Sequence, residues 1–230
     1  MGLLLSYGYA NKPHLEKIIR MSNTQRILVV PRPSLPEPLQ TISNIEELVN
    51  KFGKWLQRDF AENDEDFLQI IPYILITRTV EFYGTQYFCY KRKKAGTEER
   101  LHNNYSLGVG GHVDWNDWDP TLSLWDAVEA GAWRELAEEV RLDSVPTLER
   151  FSTNLTTDLI YDSSNAVGRV HLGIPYICNS SNVLVKEIDK LEGLFMTLEE
   201  IKTIEDRLEG WSKTLLGYIE NDSRTSRANV

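Results

Sequence analysis

Two cysteines in 230 residues, Cys89 and Cys178, are too few and too far apart to frame a disulfide scaffold, and their spacing is not that of a metal site. A reducing setting is expected, with the cytoplasm as the location. Long apolar runs are also missing. Nothing approaches the roughly 20 residues that span a bilayer, so no membrane partner is expected. Met1 to Ala10 has no basic n-region and too short an apolar stretch for a secretory signal, although Gly2 and Ser6 fit the permissive spacing of a myristoylation site. Positive charge is in the minority, with 25 Lys and Arg against 34 Asp and Glu and a net charge of -9. That balance argues against a protein that grips extended nucleic acid through its whole surface. It leaves polyphosphate chemistry open, provided metal ions neutralise both sides. There is no internal repeat and no low-complexity segment.

The length favours one elaborated domain. Residues 1–24 form an expected N-terminal extension, disordered or a misassigned start, because Met21 precedes the first apolar run; 25–220 form the domain, and the polar residues 221–230 a disordered tail. Ile27 to Val30 reads as a strand closed by prolines. Ser43 with Glu46 has the pattern of a capping box, and apolar residues from Ile45 through Trp55 and Leu56 to Phe60 recur at helical spacing, predicting one helix to about residue 60. Ile70 to Ile76 and Tyr87 to Tyr90 read as buried antiparallel strands. A basic loop from Lys91 to Asn104 precedes a glycine-rich strand end at Tyr105 to Gly111. Ser123 with Asp126 opens a second helix to Val140, with Val128, Ala132, Leu136 and Val140 as its buried ridge. Val170 to Cys178 reads as a strand, at an edge or bulged because of Pro175. Thr197 with Glu200 opens a last helix carrying Ile201, Ile204, Leu208, Trp211, Leu215 and Ile219 on one face. The interleaving points to an α/β (α+β) fold in which a mixed sheet carries helices on its faces.

The chemistry concentrates in Arg134-Glu135-Leu136-Ala137-Glu138-Glu139. At about 100° per residue, Glu138 and Glu139 flank Glu135 on one narrow arc of the helix. Like charges at these spacings repel, so the cluster is either a solvated acidic face or a ligand set for a hard cation such as Mg²⁺. Arg134 is the local counter-charge. Upstream, Gly108, Gly110 and Gly111 at a strand end allow a ligand close approach to the backbone.

This combination resembles the Nudix box, G-x5-E-x7-R-E-U-x-E-E-x-G-U with U a bulky apolar residue. Gly111 matches the first glycine, Arg134 to Glu139 the central six positions, and Leu142 the last. Asp126 stands at the first glutamate, Arg141 replaces the second glycine, and the spacer from Gly111 to Asp126 is nine residues too long, which suggests an inserted loop from Asp114 to Leu122. Glu192 to Glu200 is similar to the strand and helix entry that close such domains, and Ser106 to His112 with Val167 to Gly173 resembles a largely uncharacterised subgroup.

The resemblance implies a Nudix-type α/β/α sandwich, here with an extra N-terminal helix. It implies hydrolysis of a nucleoside diphosphate linked to another moiety, by water, with Mg²⁺ or Mn²⁺ as cofactor. Glu135, Glu138, Glu139 and the Gly110 carbonyl would hold metal, and Arg134 would orient a helix acid. Glu138 would be the base, or else a carboxylate outside the box: Asp162, Glu187, Asp189 or Glu192. Substrate contacts fall on His112, Arg169, His171 and Arg100. For Arg169 and His171 a solvated strand face is the alternative, for His112 a structural hydrogen bond, and for the basic loop holding Arg100 a solvated surface. Trp115, Trp118 and Trp125 lie in or beside the insertion, buried or stacked on a base. The expected partner is a small nucleotide, and a homodimer is an open alternative to a monomer. The rival functions are a nucleotide sensor of the same fold without turnover, and an isoprenyl diphosphate isomerase, which calls for a reactive cysteine.

Overall fold

A 14-residue strand organises the molecule. In the computed structural model, which describes residues 25–92, 104–142, 146–151, 159–186 and 191–228, strand β3 (Phe67–Val80) is the spine of a nine-stranded sheet. Its side chains alternate, so Leu68, Ile70, Ile74 and Ile76 enter one core while Tyr73 and Leu75 enter the other. Burial on both faces is why this stretch reads as a continuous apolar run. Strand β1 (Arg26–Pro31) lies antiparallel to β3 and to β2 (Lys54–Gln57), with α1 (Ile45–Phe52) between β1 and β2 in the chain.

The helix expected to reach residue 60 therefore stops at Phe52. Gly53 ends it with its backbone against the Val49 carbonyl, where a Cβ would stand 2.5 Å from that oxygen. Trp55 and Leu56 pair in β2 instead, opposite Leu28 and Ile27. Asn44, not Ser43, is the N-cap, without a side-chain cap bond. A short helix α2 (Arg58–Ala61) leads into β3.

Beyond β3 the chain turns into β4 (Gly84–Arg92), then β5 (Tyr105–Ser106) and β6 (Gly108–Gly110), which pair with β4 and β3. Helix α3 (Leu124–Glu139) covers one face, burying Val128, Ala132 and Leu136. β7 (Val140–Leu142) forms a two-stranded ribbon with β10 (Val183–Val185). β8 (Thr147–Arg150) and the short helix α4 (Ala166–Arg169) precede β9 (His171–Asn179), which runs parallel to β3 and antiparallel to β8. Pro175 thus sits inside the sheet rather than at its edge, where β8 stops pairing, and its carbonyl still accepts from Phe151. β11 (Leu191–Thr197) pairs with β4 and feeds α5 (Leu198–Lys202), opened by the expected Thr197–Glu200 capping box.

The last helix is two helices. α5 ends at Lys202, a 3-10 turn follows, and α6 (Gly210–Ala228) carries Leu215, Leu216 and Ile219 onto the second face of the sheet. Helix α6 continues through residues 221–228, so the tail expected to be disordered is helical to Ala228; a helix nucleated on a buried apolar stripe extends at little cost into polar residues. Helices on both faces of a mixed sheet make the α/β/α sandwich, with α1 the additional N-terminal helix, packed on α3 and β1. No described helix is long and apolar enough to cross a membrane. Residues 1–24 and Arg100 lie outside the described residues.

Candidate functional site

Helix α3 aims the site. Its start is fixed by a reciprocal capping box in which Ser123 accepts from Asp126 N–H and the Asp126 carboxylate accepts from Ser123 N–H at 2.8 Å. Hydrogen bonds from Ser123 hold the fully exposed Asp126 carboxyl below its ordinary pKa. Asp126 is thereby committed to the cap.

The acid of this loop that Arg134 holds is Asp117. It stands six positions after Gly111, the interval G-x5-E demands, and its side chain is only 6 % exposed. Arg134 grips it in a bidentate contact, Nε to Oδ1 at 2.8 Å and Nη2 to Oδ2 at 3.0 Å. The guanidinium also donates to the His112 carbonyl at 2.8 Å, to Glu135 at 2.7 Å and to Glu138 at 3.3 Å. The Asp117 hydrogen bond is the main reason the Arg134 pKa stands well above its usual value. Asp117 is in turn held by Asp114, whose N–H donates to it at 2.8 Å. The extra residues lie between Asp117 and Arg134, which are 17 positions apart.

The three glutamates differ in setting. Glu135 is 14 % exposed, and burial raises its pKa against the opposing pull of Arg134. Its carboxyl presses on the backbone at Gly111, where a Cβ would lie 2.4 Å from the Glu135 Cδ. Glu138 is 60 % exposed and Glu139 is half-buried. Among the described residues no three such side chains are already gathered into a metal-holding cluster, because Glu135 and Glu138 both turn to Arg134. The donor set nonetheless fits a hard divalent cation. It is all oxygen, it lies on one helix arc, and it includes a partly desolvated carboxylate against the Gly110–Gly111 backbone.

Beside that backbone opens a cleft of about 400 Å³, lined by Gly110, Gly111, His112, Asp162, His171 and Trp211 among others. Two histidines meet at its floor. His171 Nδ1 donates to the Val167 carbonyl at 2.6 Å, which leaves its Nε2 as an acceptor; His112 Nε2–H is shared between that atom at 3.2 Å and Gln69 Oε1 at 2.8 Å. Burial lowers the His112 pKa to about 3, with Arg58, His171 and Arg134 adding to the effect, and burial lowers His171 too. Both rings are neutral hydrogen-bonding groups. Tyr73, pushed up to about 12 by burial, also lines the cleft. Its hydroxyl meets Ser106 and Ser212 at 2.9 Å each and accepts from Gly108 N–H, which ties α6 to the strand bearing the glycines.

The expected site residues thus divide. Arg134, Glu135 and Glu138 come together at Gly110–Gly111, with Glu139 beside them on the same helix, and His112 and His171 line the adjoining cleft. Arg169 does not. It ends α4 rather than facing out from a strand, and it pairs with Glu65 at 2.6 Å on the surface. Of the acids outside the box, Asp162 lines the cleft, Glu192 is exposed on β11, and Glu187 and Asp189 lie outside the described residues. Trp115 and Trp118 pack on each other and on Trp55, and Trp125 is buried in the core, so none of the three faces the cleft. The tryptophan that does is Trp211, on the far side of the fold in sequence.

No family model matches the chain. It is 36% identical over 170 residues to Protein YmaB of Bacillus subtilis (strain 168), covering 72% of this chain and 77% of that protein. The crystal structure of Tm1382, assigned to the Nudix hydrolases, superposes with a TM-score of 0.69 at 33% identity, covering 85% of this chain and 98% of the other. The NUDIX domain of Shewanella oneidensis NrtR, solved with ADP ribose, gives a TM-score of 0.47 at 13% identity over 67% of this chain and 87% of that domain.

Proposed function

The chain belongs to the Nudix hydrolase family, and from that premise we propose that it hydrolyses a nucleoside diphosphate linked to another moiety, by attack of water at phosphorus. One observation carries the reading: Arg134 gathers Asp117, Glu135, Glu138 and the His112 carbonyl onto one guanidinium beside an open cleft.

Glu135, Glu138 and Glu139, with the Gly110 carbonyl, would hold Mg²⁺ or Mn²⁺. Such an ion supplies charge neutralisation for the diphosphate and acidifies water. Arg134 binds no substrate in this scheme. It locks the loop carrying Asp117 to the helix carrying the acids, and it opposes the upward push that burial gives the Glu135 carboxyl. Glu138 is the most accessible of the carboxylates held by Arg134, and it accepts the proton of the attacking water. Its bond to Arg134 is the longest of the set, 3.3 Å, so the side chain leaves the clamp at the least cost. The small-molecule substrate enters from the cleft, where His112 and His171 offer neutral hydrogen-bonding edges rather than charge. The buried, free cysteines suit a cytoplasmic setting.

Hydrolysis in ¹⁸O-labelled water tests the reaction. Cleavage of the diphosphate gives two phosphate-bearing products, a nucleoside monophosphate and the phosphorylated other moiety, with one label on the phosphate of one of them; a nucleoside diphosphate beside a labelled, phosphate-free fragment would place the attack at carbon instead.

A further inference from the structure

Three groups of the site ride on one short piece of backbone. They are the Gly110 carbonyl, the Gly111 backbone against which the Glu135 carboxyl rests, and the His112 carbonyl that accepts from Arg134 Nη2 at 2.8 Å. The register between β6 and β3 ends at the pair Gly110 and Tyr73. Three residues on, the Val113 carbonyl accepts from Leu28 N–H on β1 at 2.9 Å. Between those points the chain passes from β3 to β1. What ties it to β3 there, among the described residues, is the side chain of His112, which bonds Gln69.

That tie is one link in a chain of hydrogen bonds crossing five elements. His112 Nε2–H is shared between Gln69 Oε1 at 2.8 Å and His171 Nε2 at 3.2 Å. On one side the Gln69 Nε2 donates to the Ala61 carbonyl of α2 at 3.3 Å, which turns the amide oxygen toward His112. On the other, His171 Nδ1 donates to the Val167 carbonyl of α4 at 2.6 Å. Both ends of the chain are therefore fixed by backbone. Gln69 is fully buried between Leu68 and Ile70, and it is not among the residues that line the cleft. A buried amide is costly unless it is partnered, whereas an apolar residue like its two neighbours would carry no such cost. The acceptor it presents to His112 is what sets Gln69 apart from that run.

Resting on the hydrolase reading above, we propose that Gln69 and His112 are positioning residues: their hydrogen bond sets the Gly110–Gly111 backbone against Glu135, so that affinity for the divalent cation depends on a buried amide that touches neither metal nor substrate. The segment is gripped from two sides, by Arg134 on the helix and by Gln69 and His171 on the sheet. There is no slack between them. A Cβ at Gly111 would stand 2.4 Å from the Glu135 Cδ, so the backbone and the carboxyl are already in contact, and a segment released on the sheet side moves relative to that acid. Groups that orient a ligand set in this way change metal affinity or activity by about 10–100-fold when they are removed.

The test is Mn²⁺ binding to the full chain, read by electron paramagnetic resonance, beside the urea midpoint and a turnover assay on nucleoside-diphosphate-linked compounds. Gln69→Leu removes the acceptor and His112→Phe the donor, each with little change of volume, and each is expected to weaken Mn²⁺ by about tenfold or more. The two together should weaken it no further than either alone, because they break the same bond. His112→Gln carries an amide donor that reaches as far as the imidazole Nε2 and should restore most of the affinity, which neither a loss of bulk nor a reacting imidazole would allow. Unchanged Mn²⁺ affinity in Gln69→Leu and His112→Phe, additive losses in the double variant, or no recovery in His112→Gln would each overturn the assignment. Should Gln69→Leu fail to fold, His112→Phe against His112→Gln decides the same question. Mn²⁺ affinity that depends on Gln69, with no diphosphate turned over, would support the positioning role and remove the hydrolase reading. Turnover with Mn²⁺ affinity indifferent to Gln69 would do the reverse.

Discussion

Arg134 and Asp117 lie 17 residues apart in the chain and face each other through two hydrogen bonds of 2.8 and 3.0 Å. The contact joins the loop after the glycines to the helix that carries the acids. It sets Asp117, rather than Asp126, against the arginine of the box.

Asp117→Ala leaves a half-buried guanidinium with a lost bidentate partner, and should destabilise the fold by about 1–3 kcal/mol and lower turnover by an order of magnitude or more. Asp126→Ala should lower the melting temperature modestly, through the lost cap, and leave turnover intact. Urea unfolding and steady-state rates on both variants check the pair. Loss of turnover in Asp126→Ala with none in Asp117→Ala would return the role to Asp126.

Gly111→Ala puts a methyl group 2.4 Å from the Glu135 Cδ and should displace that carboxyl. The expected result is a weaker affinity for Mn²⁺ and at least about tenfold lower kcat, with a small change in the urea midpoint. Unchanged Mn²⁺ affinity would show that Glu135 is not a ligand.

Tyr73→Phe removes the hydroxyl that bridges Ser106, Ser212 and Gly108 N–H in a buried setting. The groups left unpaired should cost about 1–3 kcal/mol, read from the urea midpoint. An unaltered midpoint would mean that α6 is held by apolar packing alone.

Cys89 and Cys178 are both buried, and burial pushes their thiols up to about 12 and about 11. Neither should react with iodoacetamide at pH 8 in the native protein, and both should react in denaturant. Alkylation of a native cysteine with loss of turnover would revive the isomerase reading.

Local signals carried well from sequence to structure. The boxes at Ser123–Asp126 and Thr197–Glu200 formed as expected because each is closed within one turn. The same pattern at Ser43–Glu46 failed where Asn44 took the cap, and the apolar spacing past Phe52 concealed a strand because Trp55 and Leu56 satisfy either period over so short a run; Gly53 was the available sign. The break before α6 is likewise marked by Gly210. The acids of α3 were legible from spacing on one helix. Asp117 was open to simple counting from Gly111, but Asp126 satisfied the other half of the pattern, and only the fold shows which half the insertion left intact. Gln69 and Trp211 gave no comparable sign, and Asp162 was one of four outside acids that nothing in the sequence ranked. They meet the site through sheet pairing and the α6 crossing, which a linear pattern does not encode.

The most direct test compares wild type with Glu138→Gln on a panel of nucleoside-diphosphate-linked compounds, with Mg²⁺, with Mn²⁺ and with EDTA. The expected result is turnover that needs the metal, vanishes with EDTA and falls by about 100-fold or more in the variant, whose fold is retained because the side chain is exposed. Turnover that persists in EDTA, or that Glu138→Gln leaves unchanged, would contradict a metal-dependent hydrolase built on this helix.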